Sequence, residues 1–360
     1  MFTRWRFLQI GTLALAISAC AAPQSRPAPG PSTPAPDVSS APVQKPESSR
    51  VDADQAAYVQ ALARERNLPA EQVNNLLNSA QYNPTVAKLI APAVAGKKVV
   101  RSWTVYRKRV VEPVRIKWGV DFLVANESTL AQASQRFGVP ASIIVAIIGV
   151  ETNYARNMGS FSVLDALYTL AFRYPDPSRP DRQEMFRNQL SDFLTLVMTG
   201  RLDVSTQGSY AGAIGMSQFM PGSIERYAVD GDGDGVIDLT NSPRDAILSV
   251  GNFLAAHGWQ RGLPVFAPVM LPPNASALVD GGLEPHLDWS QMQSAWARTT
   301  DNGAPWMAQR MGVINLPDDQ HGTVQYRTGT PNFFALTHYN RSYFYASSVE
   351  DLAAELEARN

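Results

Sequence analysis

One carboxylate, Glu151, follows a long apolar stretch. The residues from Ile143 to Val150 read IIVAIIGV, without a polar side chain. A helix that is apolar all round is buried, and this run is too short to cross a bilayer, so we predict a core helix with Glu151 in its last turn. Burial and the negative end of the helix dipole both disfavour the ionised carboxylate there. A carboxylic acid that stays protonated near neutral pH is suited to general acid catalysis.

The ends of this helix carry residues that start and stop helices. Pro140 suits the first helical position, because the N–H that it lacks would be unpaired there. Gly138 suits the end of a preceding helix, and Asn153 tolerates the left-handed turn that ends this one. The alternative is that Glu151 is a solvated helix-end residue or pairs with Arg156. Position alone favours this alternative, and the motifs farther along the chain reverse the preference.

A second stretch, residues 208–221, reads GSYAGAIGMSQFMP. Its glycines and alanines allow the backbone to approach a ligand or another helix closely. Ser209 and Gln218 offer hydrogen-bonding groups for a polar substrate. Close helix packing around a turn is the competing interpretation.

An acidic loop follows at residues 230–238, with the sequence DGDGDGVID. Oxygen ligands at alternate positions, glycine at the sixth and a hydrophobic residue at the eighth are typical of an EF-hand calcium loop. The twelfth position is Asn241 instead of the usual Glu, and Asp245 could supply the missing carboxylate. We predict a calcium site, because carboxylates this close repel one another unless a cation compensates; a solvated acidic turn is the alternative.

Composition excludes several other functions. The chain has 360 residues, of which 45% are hydrophobic and 18% charged, with a formal net charge of -1. This length gives room for two or three packed units, and a near-neutral charge argues against nucleic acid as the main partner. The four histidines lie far apart and show no zinc-binding spacing.

The first 20 residues have the order of an export signal. Arg4 and Arg6 precede an apolar stretch, which ends at Cys20, the one cysteine of the chain. The order Ile-Ser-Ala-Cys resembles a bacterial lipobox, in which this cysteine is lipidated, and Ala21 after it resembles outer-membrane sorting. We therefore predict a lipid anchor on the periplasmic face of the outer membrane of a Gram-negative bacterium; an ordinary signal peptide with a chance cysteine is the alternative.

The rest of the chain divides by composition. Residues 21–50 hold eight of the 26 prolines and are predicted to be an extended linker. From residue 51 onward apolar residues recur at helical spacing. Residues 263–330 are the most β-like part, because short apolar runs alternate there with Pro, Gly, Asn and Asp. Trp103 to Arg109 combine aromatic and basic side chains that could line a sugar groove, although a Trp packed on a helix with solvated basic residues is the simpler interpretation.

Together these motifs resemble the membrane-bound lytic murein transglycosylase B family. The similarity covers about residues 52–360 and rests on motifs that occur in the same order: GVET at 149–152, GAIG at 212–215, QFMP at 218–221, the acidic loop, and Tyr339-Asn340. Each motif alone would be weak, whereas all of them in register are specific.

The resemblance implies a mainly α fold. A lysozyme-like catalytic core would comprise residues 126–262 and 331–360, with an N-terminal helical domain at 51–125 and a small β-rich insertion at 263–330.

The resemblance also implies the reaction, which is cleavage without water of the β-1,4 bond between N-acetylmuramic acid and N-acetylglucosamine in peptidoglycan. Glu151 would act first as acid and then as base, so that 1,6-anhydromuramic acid forms and no second carboxylate is needed. The family pattern places along the glycan cleft Ser209, Gln218, Tyr339, Asn340 and Tyr345. It assigns calcium to Asp230, Asp232, Asp234, the backbone carbonyl of Val236, and Asp245, and it implies no organic cofactor.

Some departures and alternatives remain. The segment from Asn241 to Asp245 looks one residue longer than in the family, so Asp245 could sit differently; residues 175–180 look like a small insertion. A hydrolytic muramidase would use the same Glu151 but needs a second carboxylate. A non-catalytic, calcium-stabilised peptidoglycan-binding lipoprotein would need no acid at all.

Replacing Cys20 by Ser is expected to move the protein from the membrane fraction to the soluble periplasm, because the thiol that would carry the acyl chains is removed. Cell fractionation with immunoblotting measures this, and Ser25→Ala, beyond the lipobox, is the matched control. Membrane retention of the Cys20→Ser protein would contradict the lipid anchor.

Overall fold

The computed structural model describes residues 47–92 and 100–359. The predicted export signal, Cys20 and the linker up to residue 46 lie outside these residues. The first helix, α1, begins at Glu47, so the last four residues of the predicted linker, 47–50, are helical.

Five helices form the N-terminal part of the described chain. They are α1 (Glu47–Arg66), α2 (Ala70–Ser79), α3 (Pro84–Ile90), α4 (Trp103–Val110) and α5 (Pro113–Ala125). Polar side chains start two of them, since Asn83 accepts hydrogen bonds from the backbone at the start of α3 and Ser102 does the same for α4. Trp103 is buried in the core, which agrees with the simpler interpretation of that segment.

The larger helical body surrounds one buried helix. Its elements are α6 (Glu127–Phe137), α7 (Ala141–Thr152), β1 (Phe161–Ser162), α8 (Val163–Phe172), α9 (Pro180–Met198), β2 (Gln207–Gly208), α10 (Pro221–Tyr227) and α11 (Pro243–Ala256). The short strands β1 and β2 pair antiparallel. Residues 142–149 of α7 are all buried, and α7 packs against α5, α6 and α11. The predicted core helix is confirmed.

The ends of α7 follow the sequence with one difference. Gly138 ends α6 with φ 76°, and Asn153 ends α7 with φ 50°, both in the left-handed region as predicted. The prediction that Pro140 is the first helical residue is wrong. Its backbone is extended at ψ 143°, and its carbonyl accepts from the backbone N–H of Ile144. Pro140 is therefore the N-cap, and the helix begins one residue later.

A small sheet and two closing helices complete the chain. The elements are β3 (Phe266–Ala267), α12 (Trp289–Ser294), β4 (Gly312–Asp318), β5 (Thr323–Gly329), α13 (Pro331–Tyr339) and α14 (Tyr343–Glu357). The sheet is antiparallel in the order β3-β5-β4 and has a small core of its own around Met292, Trp306 and Met311. The mainly α fold with a small β-rich part is confirmed.

After the sheet, α13 and α14 return to the helical body, and α14 packs along α7. This return brings α14 beside the buried helix α7. In the described ranges no single helix is long and apolar enough to span a membrane; α6 and α7 pass that test only as a pair, bent by 112°.

Candidate active site

Glu151 lies in the last turn of α7, where two tyrosines from the closing helices meet it. Tyr345 of α14 donates a hydrogen bond from its hydroxyl to Glu151 Oε1 at 2.7 Å. Tyr339, at the end of α13, stacks on Tyr345 with the ring centroids 6.4 Å apart. The pKa of both tyrosines is raised well above the usual value by burial and by the carboxylate of Glu151. The acid therefore sits in an aromatic pocket.

This pocket changes the acidity of Glu151. Burial raises the pKa of Glu151 to about 7, and the hydrogen bond from Tyr345, which favours the charged carboxylate, opposes the shift only in part. The alternative of an ion pair with Arg156 is not observed. Arg156 instead donates to the carbonyl oxygen of Asn153 and lies over the ring of Trp118, 4.4 Å from its centroid. Glu151 is therefore a desolvated acid, about half protonated at neutral pH.

The backbone just after Glu151 turns through three consecutive left-handed residues. Asn153, Tyr154 and Ala155 have φ values of 50°, 58° and 67°, a conformation that L-residues adopt only at a cost. Thr152 spans this turn, because its Oγ1 accepts from the backbone N–H of Ala155 at 3.1 Å and donates to a carbonyl oxygen. Helix α7 thus ends in a strained but hydrogen-bonded turn.

Helix α5 holds this turn in place. Arg115 of α5 donates from Nε to Asn153 Oδ1 at 2.8 Å. The phenol of Tyr154 fills a slot between Gly119 of α5 and Gly149 of α7, and a Cβ on either glycine would collide with its hydroxyl oxygen. Sequence reasoning did not single out Arg115 or Tyr154. The only available signal was the pair of glycines on two helices.

Tyr339 connects the acid to the glycine-rich segment. Its hydroxyl donates to the carbonyl oxygen of Ser217 at 2.6 Å. Ser217 Oγ and Asn340 Oδ1 are buried and have no hydrogen-bond partner among the described residues. Buried polar atoms are nearly always satisfied in native proteins, so these two are candidates for contact with a ligand. Ser217 is an addition to the residues that the sequence singled out.

Gln218 and Ser209 shape the glycine-rich segment from inside. Gln218 has a left-handed φ of 48°, and its Nε2 donates to the carbonyl oxygens of Met158 and Gly215 at 3.1 and 3.0 Å. Ser209 Oγ accepts from the backbone N–H of Ala213 at 3.0 Å. Within the described ranges, Gln218 Oε1 and the hydroxyl proton of Ser209 have no partner, so both residues keep a group for a polar substrate.

The acidic loop brings three carboxylates together. Oxygens of Asp230, Asp232 and Asp245 all lie within 4.8 Å of one another. Asp245 is buried at the start of α11 and accepts from the backbone N–H groups of Gly231 and Asp238 at 2.8 and 2.7 Å. The longer segment before Asp245 therefore does not remove it from the group.

The other two predicted calcium ligands, Asp234 and the carbonyl of Val236, belong to the same loop but not to this group of three carboxylates. Asp234 does not belong to the group of three; its Oδ1 accepts from the backbone N–H of Val236 at 2.7 Å. Val236 itself is exposed, so its carbonyl has room to turn toward an ion. The donor set, three carboxylates with further oxygens beside them, fits a hard divalent cation such as calcium.

Two hydrogen bonds link this loop to the acid. The backbone N–H of Met216 donates to the carbonyl oxygen of Leu239 at 2.8 Å. The carbonyl oxygen of Met216 in turn accepts from Thr152 Oγ1 at 3.1 Å, and Thr152 directly follows Glu151. The exit of the acidic loop, the glycine-rich segment and the end of α7 therefore form one connected unit.

Comparisons with known proteins agree with this geometry. The sequence matches the Transglycosylase SLT domain over residues 51–354. It is 37% identical over 302 residues to membrane-bound lytic murein transglycosylase B of Escherichia coli (strain K12). The matched region covers 82% of this chain and 80% of that protein. The fold is similar to that of soluble lytic transglycosylase SltB1 from Pseudomonas aeruginosa, with 37% identity, a TM-score of 0.75, and coverage of 85% of this chain and 99% of that chain. It is also similar to Escherichia coli Slt35 in complex with calcium, with 34% identity, a TM-score of 0.72, and coverage of 85% and 93%.

Replacing Glu151 by Gln is expected to stabilise the fold at pH 8 and to change little at pH 4. The folded protein keeps the carboxyl proton up to a pKa of about 7, whereas the ordinary value is 4.5. The folded state therefore binds more protons between these values, and stability falls as the pH rises through them. At pH 8 this shift costs the native sequence about 3 kcal/mol of stability, and the neutral amide avoids that cost. Denaturant unfolding at both pH values measures the difference.

Glu184→Gln is the matched control, because it removes an exposed carboxylate from α9. Its free energy of unfolding is expected to equal that of the native sequence at both pH values. Equal stabilisation by Glu151→Gln at pH 4 and pH 8 would contradict the raised pKa.

Proposed function

The chain belongs to the lytic murein transglycosylase family, whose members are peptidoglycan-cleaving lyases, and from this premise we propose that Glu151 carries out both proton transfers of the reaction. The bond cleaved is the β-1,4 linkage between N-acetylmuramic acid and N-acetylglucosamine. The observation that carries this proposal is the desolvated carboxyl of Glu151, with a pKa of about 7. A group that titrates near the working pH is suited both to give and to take a proton.

In the first step, protonated Glu151 gives its proton to the glycosidic oxygen as the bond from that oxygen to C1 of the muramic acid breaks. Tyr345 donates a hydrogen bond to Oε1, which leaves Oε2 as the atom that carries the proton. In the second step, the carboxylate takes the proton from the C6 hydroxyl of the same sugar, and the C6 oxygen bonds to C1. The product is a 1,6-anhydro ring, and Glu151 ends protonated again.

The neighbours of Glu151 are suited to hold a glycan strand. We assign to the cleft the stacked rings of Tyr339 and Tyr345 and the polar groups of Ser209, Gln218 and Asn340. The unpartnered Asn340 Oδ1 supports this assignment, because a hydroxyl or amide of the substrate would satisfy it. The tyrosine rings also exclude water from the acid, which favours ring closure by C6 over attack by water.

The hydrolytic alternative is less well supported. A retaining or inverting glycosidase needs a second carboxylate within about 10 Å of the first. In the reaction proposed here Glu151 carries both proton transfers, so no second carboxylate is required. A pure binding function is also disfavoured, because a binding protein has no need of a desolvated acid in its cleft.

We further propose that calcium binds in the acidic loop, held by Asp230, Asp232 and Asp245, with Asp234 and the carbonyl of Val236 as further ligands. The ion supplies positive charge that offsets the carboxylates and ties the loop to the start of α11. The relative named Slt35 is described with calcium, which supports the proposal by analogy.

The place of action is proposed by the same reasoning. One relative is named as membrane-bound, and Cys20 stands in a lipobox order. We propose a lipid anchor at Cys20 that holds the enzyme at the periplasmic face of the outer membrane, within reach of peptidoglycan.

Digestion of purified peptidoglycan sacculi should release fragments that end in 1,6-anhydromuramic acid, and mass spectrometry identifies them by the absence of the added water. Glu151→Gln is expected to lower the rate at least about a hundredfold, because it removes the general acid. Glu184→Gln should remain fully active. Products with reducing ends would instead establish a hydrolase. If neither the native protein nor Glu184→Gln released any product, a non-catalytic binding protein would be favoured.

Calcium should raise the melting temperature of the protein by several degrees, because an ion that binds only the folded state stabilises it by mass action. A chelator should reverse the shift, and Asp245→Asn should abolish it, since the buried carboxylate would be lost. Asp121→Asn, which alters an exposed carboxylate of α5, is the control that keeps the full shift. Equal melting temperatures with calcium and with chelator would exclude the ion from the loop.

A further inference from the structure

Trp296 stands in an unusual position at the end of α12, in the β-rich part. The helix ends in a Schellman motif, with the backbone N–H of Trp296 bonded to the carbonyl of Gln293 at 2.9 Å and that of Ala297 to the carbonyl of Met292 at 3.0 Å. In this motif the residue after the C-cap is left-handed and is usually glycine. Here it is Trp296, with φ 70°.

This position carries two costs. A left-handed L-residue is strained by roughly 1–2 kcal/mol. The second cost is exposure of an apolar side chain to water, since 74% of Trp296 is exposed. The neighbouring residues Met292 and Ala297 are fully buried, so the turn itself is well packed and the exposure of the tryptophan is not a result of local looseness. Strain and exposure in one residue are typical of a functional position.

The indole is also held in one orientation. The guanidinium of Arg298 lies over its ring, 5.3 Å from the centroid, and Arg298 Nη1 is itself anchored to the carbonyl oxygen of Ala297 at 2.8 Å. Arg298 therefore covers one face of the indole, while the high exposure leaves the opposite face open. A ring fixed in this way loses little conformational entropy when a ligand stacks on it.

Met270 extends this surface. Its backbone exchanges two hydrogen bonds with Arg298, at 2.8 and 3.0 Å, which makes the two residues direct cross-strand neighbours. Met270 is 63% exposed. Trp296, Arg298 and Met270 together form what we call the Trp296 platform.

We propose that the Trp296 platform is an auxiliary binding site for the glycan strand of peptidoglycan, on which the C–H face of a pyranose ring stacks against the open face of the indole. The face of an aromatic ring is electron-rich and attracts the weakly positive C–H groups of a sugar. Arg298 Nε and Nη2 have no partner among the described residues, so they can donate to an acetyl carbonyl or a carboxylate of the strand. The proposal rests on peptidoglycan as the substrate, not on the role of Glu151.

The size of the platform favours a sugar over a protein partner. A stable protein interface buries about 800 Å² on each side, whereas two exposed apolar side chains provide only a fraction of that area. A single pyranose ring matches an indole in size. A polymeric substrate also continues beyond the cleft, so a second contact on the same strand raises the effective concentration of substrate at the acid.

The test uses the full chain with Glu151→Gln, which binds sacculi without cleaving them, and compares it with the same protein carrying Trp296→Gly. Co-sedimentation with purified sacculi should show apparent affinity reduced about fivefold, as expected for the loss of one aromatic contact. The melting temperature should rise by about 1–3 °C, because glycine relieves the left-handed strain. A rise in stability together with a loss of binding separates the platform from a merely structural tryptophan.

Two comparisons sharpen the result. Val324→Ala, which removes an exposed side chain from β5, in the same β-rich part of the chain, should leave sedimentation unchanged. Glycan strands freed of their peptides by an amidase should show the same dependence on Trp296 as whole sacculi. Equal sedimentation with and without Trp296 would overturn the proposal and leave a protein as the candidate occupant. If binding depended on Trp296 with whole sacculi but not with peptide-free strands, stacking on sugar would be overturned. The anhydro products of the unmodified enzyme report separately on the role of Glu151.

Discussion

The burial of one carboxyl group is the constraint on which the rest of this structure depends. Glu151 lies in the last turn of a helix whose residues 142–149 are all buried, and removal of water raises its pKa to about 7. Such a group destabilises the fold whenever it is ionised. Under the proposed role of Glu151, this loss of stability accompanies its acid–base chemistry. The surrounding elements bury the carboxyl and orient it through the hydrogen bond from Tyr345.

Three separate parts of the chain meet this requirement. The closing helix α14 supplies Tyr345, which orients the carboxyl. Helix α5 supplies Arg115 and the glycine slot, which hold the left-handed turn after the acid. The glycine-rich segment supplies the carbonyl of Met216, which accepts from Thr152, and through Leu239 it continues into the acidic loop. A cation in that loop would thus stiffen the support of the acid without touching the substrate.

Left-handed backbone occurs both directly after Glu151 and at the Trp296 platform. At Asn153 to Ala155 the strain is balanced by hydrogen bonds and by the packing of Tyr154. At Trp296 it is balanced by the hydrogen bonds of the Schellman motif. In both cases the surrounding structure holds residues in a sparsely populated conformation, which is common at functional positions.

The sequence by itself determined the elements whose physics is local. The apolar run before Glu151, the left-handed Gly138 and Asn153, and the alternating aspartates were all visible in it, and the order of the motifs identified the family. Only the tertiary structure decided which distant groups meet the acid: Tyr345 lies 194 residues away, and nothing in its own surroundings marks the contact. The same holds for the slot of Tyr154 and for the exposure of Trp296, which as an apolar aromatic would be expected inside. Periodicity shows which face of a helix is buried, but which distant element covers that face depends on how the whole chain packs.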